Sequence, residues 1–406
     1  MPTLSRITPS YAALLIAGLL SSMTLLGCEG DFRPRAVGVE GEITVVMDST
    51  SWQGPLGDAF RANVAPYVNT LPQPERMFSL RQIDLNSQST YNRVQEQKNV
   101  VFIAPLSDTT NEANFLRDRL SEDVRQAVEG GENIVVPRPN LWRKSQRVFY
   151  VTAGTPDALI QTLEGQSERI RETFREITLE RMQREMFEKE RQFAIEDTLM
   201  DTHGFAINVQ HDYQIAEQDT TGPLKSVWLA RVLSDTRRDL LVHYVEDASP
   251  SLITPEWIVS TRDSLTRQYI RGSVAGFARI DKRRELDTEE SDFLGRYGYQ
   301  TQGLWHLVAD PDSVDIDGDY EDQQYVEMGG GGPFVNYSFY DQASGRVYMI
   351  DGSVFAPTYD KLQFLRQMMV IARTFRTERE MNQAQAEQAA MMTPVLPLQA
   401  PSSSAQ

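Results

Sequence analysis

Few residues in this chain of 406 are equipped for covalent or metal chemistry. There is one cysteine, Cys28, and there are four histidines, His203, His211, His243 and His306. A single thiol closes no internal disulfide, so Cys28 is a stray thiol, half of an intermolecular bridge or a modified residue. The histidines never stand four apart, the spacing that puts two imidazoles on one helix face for zinc. The sequence also has no G-x-S-x-G elbow and no Walker loop. His243 sits inside the apolar run LLVHYV and reads as a packed structural residue. No metal, cofactor or catalytic role is assigned to these groups, and Cys28 alone is carried forward as a site.

Carboxylates are the remaining reactive groups, and with 57 of them chance pairs are common. The densest run is Asp310 to Asp322 (DPDSVDIDGDYED), whose DIDGD centre resembles a calcium loop, with hard oxygens around a glycine turn. If Gly318 takes the sixth place of an EF-hand loop, the first ligand is Ser313 and the twelfth is Gln324. Neither supplies a carboxylate, so a solvated acidic loop is expected. The same acids, with Asp341 or Asp351 near a hairpin, are the candidates for a hydrolase working through paired carboxylates. Convergence of two acids in one cleft, one with a raised pKa, would mark such a site. The glycine run Gly329 to Gly332 does not open a helix, lacks the donors that hold a phosphate, and is expected to be a flexible lead-in to the hairpin.

The place of Cys28 gives it meaning. Arg6 precedes an uncharged, apolar segment, Tyr11 to Leu26, which as a helix spans roughly 24 Å, short of a bilayer crossing. Leu25-Leu26-Gly27-Cys28 follows at its end and resembles the bacterial lipobox, in which the cysteine receives diacylglycerol and becomes the mature amino terminus. The expectation is a signal peptide over 1–27, lipid on Cys28, and a short tether over 28–40. A net charge of −17 and a pI near 4.8 argue against nucleic acid as partner, because phosphate binding needs a surplus of Lys and Arg. The 6 lysines against 34 arginines fit a high-salt habitat or a GC-rich genome equally.

Elements that position these residues follow from periodicity. Glu42 to Asp48, Met77 to Asp84, Asn99 to Ala104, Asn133 to Val136 and Arg147 to Thr152 read as strands, with helices over Pro55 to Tyr67 and Asn114 to Val128. Pro156 to about Met200 should be one long helix, straight or kinked. Beyond it, Ala206 to Val209, Val227 to Leu233, Leu240 to Val245, Gln302 to Val308, Phe334 to Asp341 and Arg346 to Asp351 read as strands. A helix from Thr254, its cap, to Gly272 and a final helix, Tyr359 to Phe375, join them. The fold class expected is α+β, with mixed, mostly antiparallel sheets and packed helices, in two similar-sized halves joined by the long helix. The domains would be 41–200 and 201–376, with a disordered tail over 377–406. The repeated strand-helix-strand order hints at a duplication.

EITVVMD, Trp52, LPQPE at Leu71 to Glu75, NVVFIA, Trp142-x-x-x-Gln146, GPF at Gly332 to Phe334 and P-x-x-x-K at Pro357 to Lys361 form a recognisable pattern. With the lipobox, the chain resembles an uncharacterised lipoprotein family of Gram-negative bacteria catalogued only as a domain of unknown function, over most of 40–376. The resemblance implies a periplasm-facing or outer-membrane lipoprotein and brings no catalytic residues. The expected function is a non-enzymatic binding or scaffolding role in the cell envelope, with the membrane as one partner through the lipid and an envelope protein as another. A paired-carboxylate envelope hydrolase is the alternative.

Overall fold

The computed structural model describes residues 31–272, 276–314 and 324–383. Near its start the chain makes β1 (Glu42–Val46), α1 (Ser49–Gln53), α2 (Pro55–Asn63), β2 (Ser79–Ile83), α3 (Gln88–Glu96) and β3 (Asn99–Ile103). It continues through α4 (Asn111–Arg119), α5 (Glu122–Glu129), β4 (Ile134–Pro139) and β5 (Arg147–Thr152). These strands form one sheet in the order β2-β1-β3-β5-β4, with β4 antiparallel to β5 and every other neighbour parallel. Parallel neighbours need crossovers long enough to hold helices, and those helices bury both faces. On one face Ile43, Val45, Val101 and Phe149 meet Leu56 and Phe60 of α2. On the other, Val46, Val100, Phe102 and Tyr150 meet Val94 of α3, Leu116 of α4 and Val128 of α5. That double burial is why NVVFI is a continuous apolar run, buried at every position.

Next comes α6 (Pro156–Phe187), capped by the Thr155 side chain, which accepts from Ala158 N. Its Leu159, Leu163, Ile170 and Phe174 belong to the first core, and its Leu179, Met182 and Met186 to another. The chain then forms α7 (Phe193–His203), β6 (Phe205–Ala206), β7 (Gln214–Asp219), β8 (Ser226–Val232), β9 (Arg237–Val245), α8 (Pro255–Tyr269), β10 (Phe277–Ile280) and β11 (Asp287–Phe293). Last are β12 (Arg296–Ala309), β13 (Val326–Asp341), β14 (Arg346–Phe355), α9 (Leu362–Ala372) and β15 (Arg376–Thr377). An antiparallel sheet runs β10-β12-β13-β14-β9-β8-β7, with β11 also paired to β12, and β15 pairs with β6. One face packs on α9 and the end of α6, the other on α8. The class is α+β as expected, with antiparallel pairing dominant across the molecule.

Several expectations need correction. The tether over 28–40 is docked from Pro34 onward, where Lys144 N donates to Pro34 O at 3.0 Å and Lys98 N to Val37 O at 3.0 Å. The helix over 114–128 is two, broken at Leu120, whose extended backbone lets Ser121 start α5. The helix over 156–200 breaks after Phe187, and Glu190 takes a φ of +61° before α7. Of Ala206 to Val209 only Ala206 is in a strand, and the helix expected to reach Gly272 stops at Tyr269. Gly329 to Gly332 lies inside β13, not in a flexible lead-in. A side chain at Gly332 would run into Val354 O, so glycine is what lets these strands close. The tail begins bonded, with Thr377 paired to Phe205; 384–406 lie outside the described residues. A mostly parallel sheet followed by an antiparallel one contradicts the duplication.

Candidate functional site

Register assembles a buried polar row on the sheet face beneath α8. Thr288, Thr301, Asn336 and Asp351 are direct neighbours on successive strands β11 to β14, and Ser353 pairs with Asp239 of β9. Arg262 of α8 lies over the row, its guanidinium carbon 3.6 Å from the Phe334 ring centroid. Its Nε donates to Asp351 Oδ2 at 2.7 Å and its Nη2 to Ser353 Oγ at 2.9 Å. Asn336 Nδ2 donates to the same Asp351 oxygen at 3.1 Å, and Ser353 Oγ to the other at 3.1 Å. Asp351 is therefore fully engaged, in a place where neither it nor Arg262 exposes more than 1% of its side chain. Asp239 accepts from Trp228 Nε1 at 2.9 Å and Arg237 Nε at 3.0 Å. Burial raises its pKa, opposed by Arg237 and reinforced by Asp351.

Asp341 is elsewhere. It closes the β13–β14 hairpin, accepting from Arg296 Nε at 2.8 Å, Ser344 N at 2.8 Å and Ser344 Oγ at 2.6 Å. Burial raises its pKa, but the Ser344 and Arg296 bonds outweigh that and hold the carboxyl below the ordinary range. Asp341 pairs with Arg346, five residues before Asp351, which puts the two acids roughly 17 Å apart along the strand. Two carboxylates acting on one glycosidic bond stand about 5 to 9.5 Å apart, so this pair does not form such a site. Asp310 pairs with Arg267 at 2.7 Å, and 315–323 of the proposed calcium loop lie outside the described residues. Among the described residues no cluster of His, Cys, Asp and Glu is arranged to hold a metal.

The histidines are structural or peripheral. His243 Nδ1 is 2.8 Å from Lys225 O, and burial lowers its pKa. His203 lies between Tyr244 Oη at 3.2 Å and Gln218 Oε1 at 3.3 Å. His211 pairs with Glu190 and His306 with Glu327. Cys28 lies outside the described residues, and among the described residues no helix is long and apolar enough to cross a membrane.

Sequence reasoning did not anticipate how the quoted motifs meet. Glu75, the acid of LPQPE, accepts from Lys361 N at 2.7 Å and Leu362 N at 2.9 Å, capping α9 from 286 residues away. The ammonium of Lys361, the basic end of P-x-x-x-K, donates to Gln73 Oε1 at 3.3 Å. Beside this clasp is a cleft of ≈ 730 Å³, walled by Tyr67, Leu71, Pro72 and Pro74 on one side and by Arg283, Arg284 and Glu285 on the other. Arg76 stacks 4.3 Å over the Tyr67 ring and donates to Ala65 O at 2.8 Å, which stiffens that wall. Arg284 has no ion pair among the described residues, whereas Arg283 is held by Asp281 and Glu327.

Residues 36–187 match the family model described as Domain of unknown function (DUF8532), and residues 192–374 match Domain of unknown function (DUF4837). The DUF8532 portion supplies LPQPE and the DUF4837 portion supplies Lys361 and α9, so the Glu75 clasp and its cleft lie between the two. The buried Arg262–Asp351 row belongs wholly to the DUF4837 portion. No curated protein sequence matches the chain.

A second acidic group sits within the DUF8532 portion, at the carboxyl ends of its parallel strands. Asp48 follows β1 and caps α1, Asp84 follows β2 and accepts from Ser49 N and Oγ at 2.7 Å each, and Asp108 follows β3. Burial and the nearby charge of Asp48 raise the Asp108 pKa, against Arg117.

Proposed function

We propose that this chain is a lipid-anchored protein of the bacterial cell envelope that binds its target without transforming it, using the cleft between its two portions. The observation that carries the binding reading is the state of the acids a hydrolase would need. Asp351 is closed beneath Arg262, and Asp341 is held ionised inside a turn. The cleft is open, at a junction between domains where ligand sites gather, with an apolar aromatic and proline wall facing Arg283, Arg284 and Glu285, a side with one net positive charge. That pairing of surfaces suits a ligand or peptide with an apolar body and an acidic group. The anchor reading rests on the apolar segment ending at Leu26 and on Cys28 directly after Gly27.

The test is a photo-crosslinking amino acid placed at Asn69 in the cleft and, as control, at Glu122 on α5, in cells making the full chain. An adduct formed from Asn69 and reduced by Arg284→Glu supports the reading. Equal adducts from both positions, or an Asn69 adduct indifferent to Arg284→Glu, contradict it.

A further inference from the structure

The amino-terminal segment is a short leash on a basic edge. Lys144 N donates to Pro34 O and Ala36 N to Lys144 O, each at 3.0 Å, and Val37 N donates to Glu96 O at 2.8 Å. The Arg33 guanidinium donates to Asn140 O. The chain is thus fixed from Pro34 to the loop between β4 and β5, at the edge where the parallel strands begin. Cys28 precedes Pro34, the first docked residue, by six residues. Six residues span at most about 22 Å, so a lipid on Cys28 keeps a bilayer surface within reach of this edge.

The edge is unlike the rest of a chain with net charge −17. From Arg138 to Arg147 the sequence RPNLWRKSQR has four cations and no acid, and Arg33 and Arg35 are bonded alongside it. Arg33 pairs with Asp31, Arg35 with Glu188 and Arg143 with Glu96, while Arg138 and Lys144 have no ion pair among the described residues. Beside these cations Phe32, Val37 and Val39 are 89%, 52% and 66% exposed. Asp48, Asp84 and Asp108 are at the opposite ends of the strands.

We propose that residues 31–39 and the loop 138–147 form a docking face for an anionic bilayer surface. The face rests on the lipid-anchor reading: the acyl chains bring the membrane near, and this face fixes how the protein sits on it. Cations within a Debye length of roughly 8 to 10 Å are drawn to anionic headgroups, and the exposed apolar side chains enter the headgroup boundary.

The sole native thiol makes the test specific. The full-length chain carrying Val39→Cys is expressed, purified from membranes and labelled with an environment-sensitive dye, beside Asp118→Cys as control. One dye per mature chain is expected, because acylation consumes Cys28. On phosphatidylglycerol vesicles at low salt the Val39→Cys dye should shift to the blue, the Asp118→Cys dye should not, and phosphatidylcholine should shift neither. Adding Arg138→Gln and Lys144→Gln should lower the ratio of docked to undocked protein about thirty-fold, at about five-fold per cation. Two dyes per chain would overturn the anchor reading and this proposal with it. One dye with the same spectrum on both lipids would overturn the docking face and leave the anchor standing.

Discussion

Replacing Arg262 with Met removes the cation over the polar row while keeping an unbranched apolar stem against Phe334, so packing changes little and charge changes fully. In the native protein the guanidinium gives Asp351 a 2.7 Å bond and Ser353 a 2.9 Å bond in a place without solvent. Arg262→Met leaves a buried carboxylate with only Asn336 and Ser353 as donors, at a cost of about 3 to 5 kcal/mol, the range for breaking one side of a buried pair. Adding Asp351→Asn removes the stranded charge and should recover about half of that loss. Urea unfolding at pH 7 of the native chain, both single variants and the double variant closes the cycle. A loss below about 1 kcal/mol for Arg262→Met, or a double variant less stable than either single, would refute the claim that this pair is a mutually dependent buried unit.

Other expectations are direct. Glu75→Ala should cost about 2 to 4 kcal/mol by orphaning the amides of Lys361 and Leu362, and Glu75→Gln should cost less; a urea series reads both. Asp341 has a lowered pKa, so its stabilisation is present above the unfolded carboxyl value and is lost as pH falls through the folded one. Asp341→Asn should therefore be less stable than the native chain by about 1 to 2 kcal/mol at pH 7, with the gap closing in acid. Asp239 has a raised pKa and the opposite sign: ionising it costs stability as pH rises from the unfolded value through the folded one. Thermal melts should show Asp239→Asn gaining on the native chain from acid toward neutral pH.

Strands buried on both faces were legible, because EITVV and NVVFI need no partner to declare themselves, as was α8, whose Thr254 cap and first-position Pro255 act within one turn. The hairpin turn ending at Gly345, with its φ of +66°, was legible for the same local reason. Polar elements were not. In α3 only Thr90 and Val94 are buried, and β7 and β11 are acidic strands at the sheet margins with little burial on either face. Parallel pairing of β1 with β2 and β3 leaves no local mark. Arg262, between Ile258 and Leu265 on an apolar helix face, and Asp351 inside RVYMIDGSV were visible as charges in buried positions; their meeting depends on a helix and a strand whose contacting residues are 89 positions apart. The Glu75 clasp spans 286 residues, and no local pattern announces it.

Lipid on Cys28 is read out by intact mass spectrometry of the chain from the membrane fraction, beside Cys28→Ala. A mature chain that begins at Cys28 and carries acyl mass is expected, with Cys28→Ala unacylated. A native chain that retains residues 1–27, or that begins at Cys28 without acyl mass, would contradict it.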